Sequence, residues 1–95
     1  MKKLSIEQAV WRALYSIAQE RGLPCRVYGY EVAERTRRIL APEGRRPLES
    51  SILREMRRLK AEGNVHYQAR MGTSEYRIEY VKTPTPQRLQ EEQHE

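Results

Sequence analysis

The sequence predicts an α+β fold in which three helices are followed by a two-stranded antiparallel hairpin, and three observations indicate it. Apolar residues recur at spacings of three and four in three segments before residue 63. After Gly63 the period changes to two, as it does in half-buried strands. Glycine and proline separate these segments. Since 95 residues support one core, we expect one domain over residues 1–82 and a polar, acidic tail over residues 83–95.

The first helix is predicted over residues 6–21. Ser5 is placed to cap its amino terminus, and apolar residues from Ile6 to Ile17 then recur on one face. Gly22 and Pro24 end the helix, because glycine adopts the terminating conformation and proline cannot continue it. Residues 25–28 are predicted to be extended, with a small strand as one interpretation.

The second helix is predicted from Gly29 or Tyr30 to Leu40. Its buried positions are Val32, Ala33, Thr36, Ile39 and Leu40, and Arg35, Arg37 and Arg38 are expected to face water or a partner. Pro42, Gly44 and Pro47 then interrupt the chain in a loop that carries Arg45 and Arg46.

The third helix is predicted from Glu49 or Ser50 to Glu62. Its core side consists of Ile52, Met56 and Leu59, and a basic side lies broadly opposite, with Ser50, Arg54, Arg57, Arg58 and Ala61. In the hairpin that follows, one apolar face is predicted to contain Val65, Tyr67, Ala69, Tyr76, Ile78 and Tyr80. The turn lies at residues 71–74.

The positive charge is concentrated around the third helix. Residues 35–60 contain nine of the eighteen Lys and Arg residues and three Glu residues, which gives +6 against +5 for the whole chain. Residues 1–34 contribute 5 − 4 = +1, and residues 61–95 contribute 4 − 6 = −2. A cationic surface on a rigid element is typical of proteins that bind nucleic acid.

Three helices and a hairpin in this order are typical of a winged helix-turn-helix, in which the hairpin is the wing. The segment Leu53–Val65, with its apolar-x-x-apolar-x-x-Glu-Gly-x-Val pattern, resembles the recognition helix and wing start of bacterial and archaeal winged-helix regulators. Gly29-Tyr30-Glu31-Val32 resembles the start of the second helix in PadR-like transcriptional regulators. The long carboxy-terminal dimerisation helix of PadR-like proteins has no counterpart in the fourteen residues after Val81.

The resemblance implies sequence-specific binding of double-stranded DNA, with the third helix in the major groove and the wing on the backbone. On this interpretation Arg54 reads bases, while the remaining contacts go mainly to phosphates. The predicted DNA-binding set is Arg45, Arg46, Ser50, Ser51, Arg54, Arg57, Arg58, Arg70, Thr73 and Ser74. A Glu55–Arg58 ion pair within the helix would compete for one of these arginines.

Trp11, Tyr15 and Ala18 form a second stripe on the first helix, and two interpretations stay open for it. Either the tail or the wing covers them, or they form an exposed patch through which the protein makes a homodimer. A homodimer would suit two half-sites on DNA.

Composition argues against several other functions. The single thiol of Cys25, the histidines His66 and His94 and the absence of Asp give neither a catalytic set nor metal-ligand spacing, so we expect no enzyme, no metal and no cofactor. No apolar run is long enough to span a membrane, and one cysteine is typical of a cytoplasmic protein. The single Asn follows a trend of heat-adapted proteins and suggests a thermophilic source.

A second function remains open beside DNA binding. Winged helices also serve as protein-interaction adaptors, for example on a transcription-machinery or replication protein. Surface composition separates the two functions, since a basic third helix favours DNA and an apolar or acidic one favours protein.

Overall fold

The computed structural model describes residues 3–85, in which helices and strands follow the order α1, β1, α2, α3, β2, β3. Their bounds are Ile6–Arg21, Cys25–Tyr28, Gly29–Leu40, Glu49–Ala61, Val65–Ala69 and Glu75–Val81. A short 3-10 turn, Ala41–Glu43, follows α2. The fold is therefore α+β, and all three predicted helices lie where the apolar spacing placed them. The predicted tail lies outside the described residues from position 86 onward.

The ends of α1 follow from local chemistry. The Ser5 hydroxyl accepts a hydrogen bond of 3.0 Å from the Gln8 amide, which satisfies one of the unpaired donors of the first turn. At the other end Gly22 has a φ of 79°, a value that favours glycine, and its amide donates to the Ala18 carbonyl at 2.8 Å. The predicted cap and stop of this helix are confirmed.

The sheet has three antiparallel strands in the order β1-β3-β2. The prediction of a two-stranded hairpin is therefore wrong in strand number. Cys25 pairs with Ile78 and Tyr28 with Glu75, so that β1 covers the edge of β3 that the hairpin alone would leave open. Four residues between two helices carry too little pattern to reveal this pairing in the sequence.

A register shift between His66 and Tyr67 changes which side chains of β3 face the core. Val65 pairs with Val81 and His66 with Tyr80, whereas Tyr67 already pairs with Ile78, so that Glu79 is the extra residue. The prediction that Tyr80 shares the apolar face is wrong for this reason, since Tyr80 is 49% exposed and Val81 is buried in its place.

One core lies between the three helices and the inner face of the sheet. Val10, Leu14 and Ile17 of α1 meet the buried side of α3 and the inward residues of the strands. The α3 side consists of Ile52, Met56 and Leu59, each at most 1% exposed, as predicted. Burial of this stripe fixes the rotation of α3 about its axis and turns its basic side outward.

The start of α2 approaches α3 closely at Gly29. A Cβ at this position would lie 3.3 Å from Glu49 Oε2 and 3.5 Å from a Leu53 methyl carbon, so an alanine here would require the Glu49 carboxylate to shift slightly. The Gly29 amide also donates to the Ser74 carbonyl at 2.8 Å. The turn of the hairpin is thereby joined to the beginning of α2.

The stripe of Trp11, Tyr15 and Ala18 is covered from within the chain. Trp11 and Ala18 are each 6% exposed, and Tyr15 is half-buried against the core. The indole nitrogen of Trp11 donates to the Lys82 carbonyl at 2.8 Å, and the Gln8 side chain donates to the Thr85 carbonyl at 2.9 Å. This stripe is therefore not the exposed patch of the second interpretation, because residues after β3 lie over this side of α1, and the homodimer stays a prediction.

Candidate nucleic-acid interface

The outward side of α3 presents four cationic side chains to solvent, namely those of Arg54, Arg57, Arg58 and Lys60. Within residues 3–85, no carboxylate lies within ion-pair distance of Arg54, Arg57 or Lys60. These side chains can therefore contact an external anion without breaking an internal pair.

Arg58 differs from its neighbours because it has an acidic partner on the same helix. Its Nη1 lies 3.5 Å from Glu55 Oε1, so the predicted ion pair is confirmed. The Arg58 side chain is 56% exposed while that of Glu55 is only 13% exposed. The pair is long, and more than half of the Arg58 side chain stays exposed.

The first turn of α3 contains the two serines of the predicted set. Ser50 is exposed and Ser51 is half-buried, and the helix begins with Leu48 at its cap position. Leu48 offers no side-chain hydrogen bond, although its carbonyl accepts from the Ile52 amide at 3.1 Å. The amides of this turn attract anions, but Glu49 in the same turn opposes that attraction.

The two arginines of the loop before α3, Arg45 and Arg46, lie in different environments. The Arg45 guanidinium donates to Glu43 Oε1 at 2.8 Å and to the carbonyl of Leu4, and its side chain is 27% exposed. Arg45 thus attaches the segment before α1 to the loop. Arg46 is exposed and lines a shallow groove with Arg37, Arg38, Glu34 and Ala41. Only Arg46 of this pair is open to an external phosphate.

The hairpin turn contains the remaining residues of the predicted set, and all three are exposed. The Thr73 hydroxyl donates to the Arg70 carbonyl and accepts from the Glu75 amide, both at 3.1 Å, so it shapes the turn. Arg70 lies 3.4 Å from Glu75 Oε1 but keeps 70% of its side chain exposed. The Ser74 carbonyl accepts from the Gly29 amide, and the residue itself is exposed.

Exposed apolar side chains also occur near the amino-terminal ends of α2 and α3, and the sequence pattern did not single them out. The rings of Tyr28 and Tyr30 stack with their centroids 5.7 Å apart. Leu48 is 70% exposed and Met71, in the hairpin turn, is 96% exposed. Such side chains contact bases, sugars or another protein more favourably than they contact water.

Cys25, His66 and His94 are the residues that were considered for catalysis or metal binding. Burial raises the pKa of the half-buried Cys25 thiol, so that it is less reactive than an exposed one. His66 is exposed and its Nε2 lies 3.2 Å from Glu79 Oε1. His94 lies outside the described residues, and over residues 3–85 no three His, Cys or Glu side chains are grouped to hold a metal ion.

Comparisons with known proteins leave the family open, since no protein-family model matches this sequence and no curated protein matches it. Among the helices of residues 3–85, none has the length and apolar character needed to cross a membrane.

Proposed function

We propose that this protein binds double-stranded DNA as a small winged helix-turn-helix transcriptional regulator. In this proposal α3 enters the major groove, and the hairpin contacts the flanking backbone. The observation that carries it is the outward side of α3, where Arg54 and Arg57 stand exposed and without an acidic partner among the described residues. A buried stripe on the opposite side of the helix holds them there.

The proposal assigns different roles to the cationic residues. Arg54 reads base edges, because a guanidinium group can donate two hydrogen bonds to guanine O6 and N7. Arg46, Arg57, Arg58 and Arg70 contact phosphates and set the register of the protein on the duplex. Arg45 takes a structural role instead, since its Nη1 donates to both the Leu4 carbonyl and Glu43, and its side chain is only 27% exposed.

A charge-matched pair of variants tests this function. Arg54→Ala combined with Arg57→Ala removes two cations from α3, and we expect duplex affinity to fall about 100-fold, given about 1–3 kcal/mol for each such contact. Arg26→Ala combined with Arg77→Ala removes two cations from paired positions of β1 and β3, and we expect a loss of less than about fivefold from the smaller change in overall charge. Fluorescence anisotropy measures both. Equal losses would show that overall charge, rather than α3, holds the DNA.

A protein-interaction adaptor is the second candidate, and the exposed apolar residues favour it. Leu48, Met71 and the stacked pair of Tyr28 and Tyr30 are large side chains left open to water, as at many protein interfaces. Leu48→Ser combined with Met71→Ser separates the candidates. An adaptor would lose its partner with this variant, whereas a DNA-binding protein would keep most of its duplex affinity.

A further inference from the structure

The face of the sheet that points away from the helices carries a row of long polar side chains. Arg26 of β1 pairs with Arg77 of β3, and Arg77 also pairs with Gln68 of β2. The next residues along these strands, Val27 and Ile78, point the other way and are buried in the core. Like charges directly opposite each other destabilise a sheet, and an anion bound between the two arginines would remove that repulsion.

A shallow groove of about 260 Å³ lies along this row, and its lining includes Arg26, Gln68, Arg70, Glu75 and Arg77. The side chain of Glu75 is only 11% exposed and lies 3.4 Å from both Arg26 Nε and Arg70 Nη1. One carboxylate thus orients two guanidinium groups, and three arginines against it give the lining a net charge of 3 − 1 = +2. The volume is below the range of about 300–1,000 Å³ for small-molecule sites, which favours a ligand that lies along the surface.

Exposed tyrosine rings lie at both ends of this row. Tyr28 follows the β1 arginine by two residues and shares its side of the sheet, and its ring stacks on that of Tyr30 with the planes 17° apart. Tyr80 lies on the same side because it pairs with His66, which is two residues from Gln68 on β2. The three rings are 43%, 57% and 49% exposed, so each can contact a further planar group.

We propose that this outward face of the sheet binds a single-stranded nucleic acid, with phosphates along the arginine row and bases stacked on the tyrosines. A cationic groove that follows the backbone, together with aromatic rings for successive bases, is the combination that such strands bind. A duplex fits it less well, because the faces of its bases are already stacked on one another. The groove lining contains no residue of α3, so this site does not depend on the proposed duplex binding.

Fluorescence anisotropy with labelled decathymidylate and an abasic strand of the same length tests the site at about 50 mM salt. We expect the abasic strand to bind about tenfold more weakly, because it keeps the phosphates but has no bases to stack. Amide shifts on adding decathymidylate should be concentrated at residues 26–30, 66–70 and 75–80. A parallel titration with decauridylate identifies the sugar that the site prefers. Equal affinity for the abasic strand, shifts centred on residues 50–58 or no binding would overturn the proposal.

Two pairs of variants separate this face from α3. Arg26→Ala combined with Arg77→Ala should weaken decathymidylate binding about tenfold, because it removes the central cations of the row. Arg54→Ala combined with Arg57→Ala should weaken it less than about threefold, in the reverse of the order expected for the duplex. Equal losses in both pairs, or a larger loss in the α3 pair, would contradict the assigned site. Strand binding without any duplex binding would support this face and reject only the duplex function.

The contribution of the rings is tested at Tyr30, the most exposed of the three tyrosines. Tyr30→Ala should weaken decathymidylate binding about tenfold, whereas Tyr30→Phe should weaken it less than about twofold, because stacking needs the ring and not the hydroxyl. Leu48→Ala is the control, since it removes a 70% exposed apolar side chain without a ring, outside the sheet. Equal affinities of the Tyr30→Ala and Leu48→Ala proteins would show that no base stacks there and would overturn the proposal.

Discussion

Two arginines of α3 differ from three arginines of α1 and α2 in what they contact. On α1 and α2, Arg21 donates to Glu31 at 2.7 Å, Arg35 to Glu20 at 2.9 and 3.0 Å, and Arg37 to the Pro47 carbonyl at 2.9 Å. On α3, Arg54 and Arg57 have no such acceptor in the described chain. The first group joins elements of the fold, and the second is available to a ligand. Charge counted along a sequence does not distinguish these two uses.

The largest effect that we expect concerns Glu7, a carboxylate of α1 that lies near Glu55 and Arg58 of α3. Burial, followed by a hydrogen bond to Glu62 and repulsion from Glu62 and Glu55, raises the Glu7 pKa from 4.5 to about 7, and Arg58 partly offsets this. The folded state therefore binds a proton that the unfolded state releases, so this group's contribution to stability falls between pH 4.5 and about 7.

Substitution of Glu7 by Gln should remove this loss of stability at high pH. Since Glu7 is only half-buried, solvent screening reduces the effect, and we expect the variant to be about 1–2 kcal/mol more stable than the original protein at pH 8. The difference should shrink toward pH 5. Urea unfolding followed by Trp11 fluorescence measures it, and a difference independent of pH would show that ionisation of Glu7 is not its cause.

Arg37 and Arg38 provide a matched test of the two uses of arginine. Arg37→Ala removes the hydrogen bond that joins α2 to the loop before α3, and should lower the free energy of unfolding by about 1 kcal/mol. Arg38→Ala removes an exposed neighbour of the same charge and should change stability by less than about 0.5 kcal/mol. Urea unfolding of both variants is the measurement. Equal stabilities would mean that the Pro47 contact contributes nothing.

The smallest expected effect concerns Arg58, which belongs to neither group because its side chain is exposed but has an acidic partner. Glu55→Gln removes its acidic partner and one negative charge from α3, and duplex affinity should rise about two- to threefold at low salt. Glu79→Gln removes a charge from β3 instead and serves as the control. Duplex titrations of both variants decide the point, and an unchanged affinity for Glu55→Gln would place Arg58 outside the interface.

The sequence predicted most of the fold because the helices depend on local spacing. Ile52, Met56 and Leu59 repeat on one side of α3, and the glycines at positions 22 and 63 both have positive φ where a helix was expected to end. Pairing between segments that are distant in the sequence was harder to predict. The third strand needs Cys25 to meet Ile78, and the exposure of Tyr80 depends on a bulge that alternation alone does not reveal.

The same limit applies to the candidate site. Arg54 and Arg57 were predicted to face outward because the helix period determines their side, and they do. Arg45 looks identical to Arg46 in the sequence, yet its acceptor is the carbonyl of Leu4, forty-one positions away. Trp11 is covered through Lys82 in a similar way. Contacts at this separation depend on the assembled fold rather than on a local pattern.

The most direct test of DNA binding is a fluorescence-anisotropy titration of a labelled random-sequence duplex at about 50 and about 200 mM salt. With five arginines open to phosphates or bases, namely Arg46, Arg54, Arg57, Arg58 and Arg70, log K should fall against log salt with a slope of about −4 to −5. The affinity should then drop roughly 500-fold between the two conditions. Absence of binding at the lower salt, or an affinity that does not change with salt, would contradict the proposed role of α3.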